Sequence, residues 1–305
     1  MWGMRTEAMR NWIHAIEGTP AGHDVALVLA LAAAFLHALF GALQKGGIYD
    51  PWTSRTAMDV AIFCMATPVA LFLVPWPPAE LWWVLAGMIA IQTTYKLLQG
   101  ATYERGAYTV VYPVVRGTGP LFTVLGAGLI FGEHFTPVQW GGVGLLLVGL
   151  FGLSAYNMAK ITVDRATLVP ALQLAVLTGL MVAVYTTWNA YGIRAMADPF
   201  TFLAWFFMLT SWDFPLIAVL RGKWRRPEPR LVRLGVLGGV VALGSFGSIM
   251  MATRLDNVGE AAILRETSTV FAALLGWLLL GEMVGPRRLV LICLIALGAV
   301  VVEFG

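Results

Sequence analysis

Two arginines lie deep inside long apolar segments of this 305-residue chain. Arg116 stands in RGAYTVVYPVVRGTGPLFTVLGAGLIFGEHFTP, and Arg265 stands in RLDNVGEAAILRETSTVFAALLGWLLLGEMVGP. Each arginine lies about 11 residues into its segment, which is about 16 Å along a helix. A hydrocarbon core is about 30 Å thick, so both guanidinium groups are predicted near its midplane. A charge at that depth costs about 2.5–3.5 kcal/mol and usually faces a bundle interior or a wet cavity.

The two segments are copies of one pattern. The shift that carries Arg116 onto Arg265 aligns them from end to end without a gap. The coinciding pairs include Arg105/Arg254, Thr118/Thr267, Phe122/Phe271, Gly132-Glu133/Gly281-Glu282 and Pro137/Pro286. The chain therefore contains an internal repeat whose period is close to half its length.

The composition is that of a polytopic membrane protein. It is 59% hydrophobic and 12% charged, with a mean hydropathy of +0.77, whereas soluble domains are about 45–50% apolar and 25% charged. The net charge of +3 does not indicate nucleic-acid binding, because the basic residues lie between apolar segments. No metal-spaced cluster, phosphate loop or nucleophile-plus-base motif is found, so no catalytic residue, metal or cofactor is predicted. Cys64 and Cys293 lie in apolar runs and are expected to be buried and unpaired.

Ten apolar segments are separated by prolines and short polar stretches. Each is close to the ~20 residues that a spanning helix needs, so the chain is predicted to be an all-α membrane protein. The predicted spans are 24–43, 56–75, 80–101, 106–131, 137–156, 168–189, 199–220, 231–253, 257–280 and 286–303.

Five segments fall in each copy of the repeat. Because five is odd, the two copies must enter the membrane from opposite sides, which predicts two inverted five-helix repeats around a central cavity. The predicted organisation is an N-terminal segment, 1–23, able to form a surface amphipathic helix; a first repeat, 24–156; a linker, 157–167; and a second repeat, 168–305. Most loop Lys and Arg residues fall on one side of the membrane. The positive-inside rule places that side in the cytoplasm, so both termini of this multi-pass inner-membrane protein are predicted to lie on the outer side.

The third segment carries a polar face. Polar residues recur there at helical spacing, at Gln92, Tyr95, Lys96, Gln99 and Tyr103. A polar stripe facing lipid would be costly, so this face is predicted to point inward. Side-chain hydrogen bonds between packed helices would explain most of the pattern. The lysine favours the other interpretation, a cavity wall.

Other segments offer further candidates for a binding site. Tyr185, Trp188 and Asn189 lie together in the sixth segment, and Tyr112 lies one turn before Arg116 in the fourth. Pro113 lacks a backbone donor, so a kink is expected close to that arginine.

Glu266 follows Arg265 directly and cannot share its helical face. It is predicted to pair with a neighbouring helix, at Lys96 or at Arg116, because unpaired charges at this depth are costly. One hypothesis is that the excess positive charge binds a carboxylate or phosphate. The other is a purely structural ion network of Arg116, Arg265 and Glu266. Glu260 and Glu266 are candidates for proton or ion coupling, whereas the Gly-Glu pairs at the segment ends are interpreted as structural.

At VVYPVVRGTGPLF and AAILRETSTVFAALLGWLLLGE the chain resembles the drug/metabolite transporter superfamily, EamA type. The resemblance implies ten-helix carriers built from two five-helix repeats, with a central cavity lined mainly by helices one, three, four, six, eight and nine. Onto that pattern fall Lys96, Tyr112, Arg116, Trp188 and Arg265. Known members include exporters of amino acids and other small metabolites.

The expected function is therefore a secondary transporter that exports a small polar, zwitterionic or anionic, amino-acid-like metabolite by alternating access. The lipid bilayer, a small-molecule substrate and a coupling proton or ion would be its partners, and it would act as a monomer or homodimer. The alternative is a lipid-headgroup flippase or a non-transporting membrane partner protein. A flippase should open its polar groove sideways to lipid, whereas a carrier should enclose it.

Overall fold

The computed structural model describes residues 2–45, 49–106, 108–159, 165–222, 224, 226–280 and 285–305, and these residues form helices joined by short turns. The prediction of an all-α membrane protein is confirmed. The helices are α1 (Trp2–Ile16), α2 (Pro20–Lys45), α3 (Pro51–Pro68, continued by a π-helical turn, Val69–Leu73), α4 (Trp82–Arg105), α5 (Tyr108–Phe131), α6 (Pro137–Met158), α7 (Arg165–Ala195), α8 (Pro199–Thr210), α9 (Asp213–Leu220), α10 (Pro229–Leu255), α11 (Val258–Arg265), α12 (Ser268–Leu280) and α13 (Pro286–Phe304).

Each of the ten predicted segments coincides with helix. Within the described ranges, nine stretches are long and apolar enough to cross a membrane, and the tenth segment is the 19-residue helix α13. Two segments differ from the prediction because each is broken into two helices. The seventh is divided between α8 and α9, and the ninth between α11 and α12.

Local sequence signals set several helix ends. The Asp50 and Asp198 side chains accept hydrogen bonds from the first amides of α3 and α8, as preferred N-cap residues do. Thr136 and Gln139 form a reciprocal capping box at the start of α6. Gly132 follows α5 with a φ of 71°, the left-handed conformation that glycine adopts readily after a helix. By contrast, Pro113 and Pro120 lie within α5, which continues through both.

The chain folds into two compact units. The first unit comprises Met1–Ile89 and Asn189–Asp256, and the second comprises Ala90–Trp188 and Asn257–Gly305. Each unit therefore combines residues from both sequence halves. The division into repeats is a division of the sequence and stays a prediction.

In the first unit, α10 packs against α2 and α3 at very short range. A Cβ at Gly235 would lie 2.7 Å from the Ala57 carbonyl oxygen, so glycine is required for this approach. The Ser245 hydroxyl donates to the Ala33 carbonyl of α2 at 2.9 Å. Small residues and side-chain hydrogen bonds are the usual means of helix association in membranes.

Two arginines join the C-terminal ends of α7 and α10 within the first unit. Arg194 of α7 donates to the carbonyls of Thr253 and Asp256 at 2.8 and 2.7 Å. In return, Arg254 of α10 donates to the carbonyls of Ile193 and Met196. Each guanidinium thus satisfies carbonyls at the end of the other helix, where a cation is also favoured by the helix dipole. We call this pair the reciprocal arginine clamp.

The clamp also holds the segment that follows α1. The Arg254 guanidinium forms an ion pair with Glu17, and the Gly18 amide donates to the Leu255 carbonyl at 3.2 Å. The predicted N-terminal helix is present as α1, and its Ile13 side chain is buried.

In the second unit, α6 and α13 meet backbone to backbone. A Cβ at Gly142 would lie 2.8 Å from the Gly298 carbonyl oxygen, and a Cβ at Gly298 would lie 2.6 Å from that of Gly142. The Ser154 hydroxyl of α6 donates to the Val110 carbonyl of α5 at 2.9 Å.

One expectation about burial is wrong. Cys64 and Cys293 are both free and exposed on the protein surface. In a membrane protein, apolar segments present side chains to lipid as well as to the protein interior, so position within an apolar run does not predict burial.

Candidate functional site

The break between α11 and α12 is the central feature of the site. The amides of Glu266 and Thr267 donate to the carbonyls of Ile263 and Leu264 at 3.0 and 3.1 Å, each three residues back. The Thr269 amide likewise donates to the Glu266 carbonyl at 3.0 Å. These are 3₁₀-type bonds, which often mark a functional hinge when they interrupt a helix. In a regular α-helix the Thr269 amide would bond to the Arg265 carbonyl. Here that carbonyl accepts from a different donor.

Arg116 of α5 fills this position. Its Nη2 donates to the Arg265 carbonyl at 3.3 Å and to the Ser268 hydroxyl. Its Nε lies 2.9 Å from Oε2 of Glu266, forming an ion pair. The prediction that Glu266 pairs with a neighbouring helix is confirmed, with Arg116 as the partner.

Arg265 points into a polar and aromatic group from two other helices. Its side chain is buried, and its Nη1 lies 3.5 Å from the Tyr185 hydroxyl. The Tyr185 ring stacks at an angle on that of Tyr95, with centroids 4.8 Å apart. Gln99 in turn donates to the Tyr95 hydroxyl at 2.6 Å. The second unit therefore brings together Arg116, Arg265, Glu266, Tyr95, Gln99 and Tyr185, and Tyr112 lies beside Arg116 with its ring centroid 6.0 Å away.

The polar face of α4 is directed toward protein. Gln92 is buried, and Tyr95, Lys96 and Gln99 are half-buried, whereas Leu97 on another face of the same helix is exposed. Within the described part of the chain, the Gln92 side-chain nitrogen is buried without a hydrogen-bond partner. A buried amide donor left unpaired costs about 1–3 kcal/mol, so a polar ligand would find a ready partner there.

The remaining predicted residues are less closely connected to this group. Trp188 is half-buried and is the last residue of α7 that belongs to the second unit. The next residue, Asn189, is buried and belongs to the first unit. Glu260 accepts hydrogen bonds from Gln139 and Asn257 at 2.9 and 3.2 Å, so it lies in its own network near the start of α11.

Of the two Gly-Glu pairs at the segment ends, the structure gives the contacts of the first, Gly132-Glu133. Glu133 accepts from the amides of Val258 and Gly259, the first two residues of α11. Glu282 lies outside the described residues.

A second buried ionic group was not predicted. In the first unit, Arg55 Nε lies 3.0 Å from Oδ1 of Asp59, which is buried, and Asp213 at the start of α9 is also buried. The four-residue spacing of Arg55 and Asp59 is the signal that could have revealed the pair. A hydropathy average over a whole segment conceals it.

The chemistry of the site in the second unit follows from its charges. Two guanidinium groups and one carboxylate lie together, so positive charge is in excess. Aromatic rings and hydroxyl or amide groups surround them. Such a group suits an anion held by charge-assisted hydrogen bonds, which are about twice as strong as neutral ones.

Comparison with known proteins gives the class of protein. Residues 169–304 match the model of the EamA-like transporter family, so the predicted resemblance to the EamA type is confirmed. The match lies in the second half of the sequence, which is therefore similar to a family of transporters, and the long apolar helices are those of a multi-pass membrane protein.

A solved structure shares the fold. It is described only as the crystal structure of a protein. The match has a TM-score of 0.75 and 17% sequence identity, and it covers 90% of this chain and 95% of the matched chain. At that identity the likeness is one of architecture. No protein in the curated comparison matches the chain.

Proposed function

We propose that the protein is a secondary transporter that exports a small zwitterionic or anionic, amino-acid-like metabolite across the inner membrane by alternating access. The observation that carries this proposal is the buried group of Arg116, Glu266 and Arg265 at a broken helix. Transporters of this general architecture place substrate sites where discontinuous membrane helices meet near the midplane.

The charge balance of the group supports an anionic substrate. Each isolated charge at the centre of a bilayer costs about 2.5–3.5 kcal/mol. Arg116 and Glu266 form an ion pair at 2.9 Å, and the two arginines and one carboxylate of this group together carry a net positive charge. A substrate carboxylate would neutralise it and accept two parallel hydrogen bonds from a planar guanidinium.

The contacts of the two arginines differ, and they indicate different roles. Arg116 already donates to two acceptors of the chain and pairs with Glu266. Arg265 has its Nη1 at 3.5 Å from the Tyr185 hydroxyl, which is the outer limit of a hydrogen bond. We assign positioning to Arg116, because its bonds join it to the break between α11 and α12. We assign substrate binding to Arg265, because its guanidinium lies beside the Tyr185 hydroxyl and the paired rings of Tyr185 and Tyr95.

The other side chains would shape the site around the substrate. Tyr95 and Tyr185 would provide an aromatic wall, and Gln92 and Gln99 would provide amide groups for a polar substituent. Tyr112 lies beside Arg116, whereas the roles of Lys96, Trp188 and Asn189 in substrate binding stay predictions from the sequence. Of the two candidates for proton coupling, Glu260 and Glu266, we favour Glu266. A substrate carboxylate and a proton would both alter its pairing with Arg116.

A ligand screen tests the proposal. Purified protein would be heated with amino acids and small carboxylates, since a ligand that binds only the folded state raises apparent stability. A compound that raises the midpoint should then be taken up by inside-out proteoliposomes. Movement of a fluorescent phospholipid across the same vesicles, with no soluble substrate transported, would favour the flippase and contradict the carrier.

A further inference from the structure

The half-helix α11 is held in place at both ends by residues of the first sequence half. It contains eight residues, Val258–Arg265, whereas isolated helices shorter than about 12–15 residues are marginal even in favourable sequences. Tertiary contacts must therefore define its position. At its C-terminal end, Arg116 bonds to the Arg265 carbonyl at 3.3 Å.

At the N-terminal end the contact is made by Glu133. Its two carboxylate oxygens accept from the amides of Val258 at 2.8 Å and Gly259 at 2.9 Å. Asn257, the residue in the N-cap position, provides no side-chain cap. Its side-chain nitrogen Nδ2 donates to the Glu260 carboxylate instead. The anionic cap of α11 is thus supplied by the segment that follows α5, and it also interacts favourably with the positive end of the α11 dipole.

The local backbone explains why Glu133 can reach this position. Gly132, at a φ of 71°, turns the chain away from α5 directly before the glutamate. On the other side of the contact, a Cβ at Gly259 would lie 2.8 Å from the Phe135 ring. Any larger residue at position 259 would require the Phe135 ring to move, so glycine favours the close approach of the 133–135 segment to the first turn of α11.

We propose that Glu133 is a positioning residue for Arg265, acting through α11 as a short rigid rod. Arg265 lies seven residues after Val258, about 10 Å along the helix axis. Loss of the cap at one end would let the other end move, and a small misplacement of a binding group can cost much of its effect. The inference rests on the proposed function in taking Arg265 as the group that binds a substrate carboxylate.

Two measurements on the full-length protein test the proposal without a known substrate. In Glu133→Gln, hydrogen exchange of the α11 amides should accelerate about tenfold, the equivalent of losing a typical cap. Modification of Arg265 by phenylglyoxal, followed by peptide mass spectrometry, should also change in rate severalfold. Glu133→Asp, which keeps the charge but shortens the reach, should give intermediate values.

Asp198→Asn is the matched control, because it alters a capping carboxylate at the start of α8 and leaves α11 untouched. It should change neither Arg265 modification nor α11 exchange. Unaltered α11 exchange and Arg265 reactivity in Glu133→Gln would overturn the proposal. A uniform increase at all helices would do so too, because it would indicate a general loss of stability.

A third arm separates this inference from the proposed function. Succinate and L-glutamate serve as carboxylate probes that should protect Arg265 of the unsubstituted protein from phenylglyoxal. If neither probe protects, anion binding at Arg265 is contradicted. The effect of Glu133 on the exchange of α11 and the reactivity of Arg265 would still be decided by the first two measurements.

Discussion

The two copies of the arginine segment have the same pattern but different backbones. In the first copy, α5 runs from Tyr108 to Phe131 without interruption, although it contains two prolines. In the second copy, the chain leaves the helix directly after Arg265 and resumes it at Ser268. Proline, the usual helix breaker, is therefore not what distinguishes them.

The residues that follow each arginine differ. Gly-Thr-Gly-Pro follows Arg116, whereas Glu-Thr-Ser-Thr follows Arg265. The shared threonine bonds four residues back in α5, from Thr118 to Val114 at 2.7 Å. In the second copy Thr267 bonds three residues back, to Leu264 at 2.6 Å. At the break the second copy supplies the Arg265 carbonyl and the Glu266 carboxylate, and the first copy supplies the Arg116 guanidinium that binds both.

Removal of Arg116 should produce the largest effect, because this side chain bonds to Arg265, Glu266 and Ser268 at the break. Arg116→Ala leaves Glu266 buried without its partner, which typically costs about 3–5 kcal/mol. We expect a fall in the thermal midpoint of roughly 10 °C, measured by fluorescence-detected unfolding in detergent. The exposed Arg287, replaced by alanine, is the control for loss of a positive charge.

The double variant Arg116→Ala/Glu266→Gln sharpens this test. Because it removes both charges, it should recover much of the lost stability. If the single variant unfolds within two or so degrees of the unsubstituted protein, Arg116 does not hold the break, and the asymmetry between the copies has another cause.

Arg265→Lys should have an intermediate effect that falls on binding. The substitution keeps a positive charge at position 265, so the thermal midpoint should change little. Lysine lacks the planar two-donor fork, and affinity for a carboxylate ligand should fall about 10- to 100-fold, as measured by isothermal titration calorimetry. Equal affinity in the variant would exclude Arg265 as the group that grips the substrate.

Tyr185→Phe should have the smallest effect. It removes the hydroxyl that lies 3.5 Å from Arg265 Nη1 and retains the ring that stacks on Tyr95. A neutral hydrogen bond contributes about 0.5–1.5 kcal/mol, so affinity should fall no more than about tenfold in the same calorimetric assay. Tyr185→Leu, which also removes the ring, should lose more; equal losses in both variants would argue against the aromatic wall.

The sequence predicted the elements and one central contact. Long apolar segments and the prolines between them located all ten segments, because a bilayer fixes helix length. The cost of leaving buried charges unpaired predicted that Glu266 pairs with a neighbouring helix, at Lys96 or Arg116, and the structure selects Arg116. The inequivalence of Arg116 and Arg265 could not be predicted, because a repeat in sequence implies equal depth and says nothing about local backbone geometry.

Long-range contacts escaped prediction for a related reason. At the break after Arg265, the hydrogen bonds come in part from Arg116, which lies far away in sequence. The cap that Glu133 gives to α11 also joins distant residues. Hydrophobic periodicity reports which residues can form a helix, whereas these contacts decide where it stops.

The reciprocal arginine clamp of Arg194 and Arg254 has a consequence for behaviour in concentrated salt. Its four bonds to helix-terminal carbonyls join a charge to neutral acceptors. Dissolved ions screen attraction between exposed opposite charges over a Debye length of about 10 Å at 0.1 M, and bonds of this kind depend little on such attraction. The ends of α7 and α10 should therefore stay joined at ionic strengths that weaken exposed ion pairs.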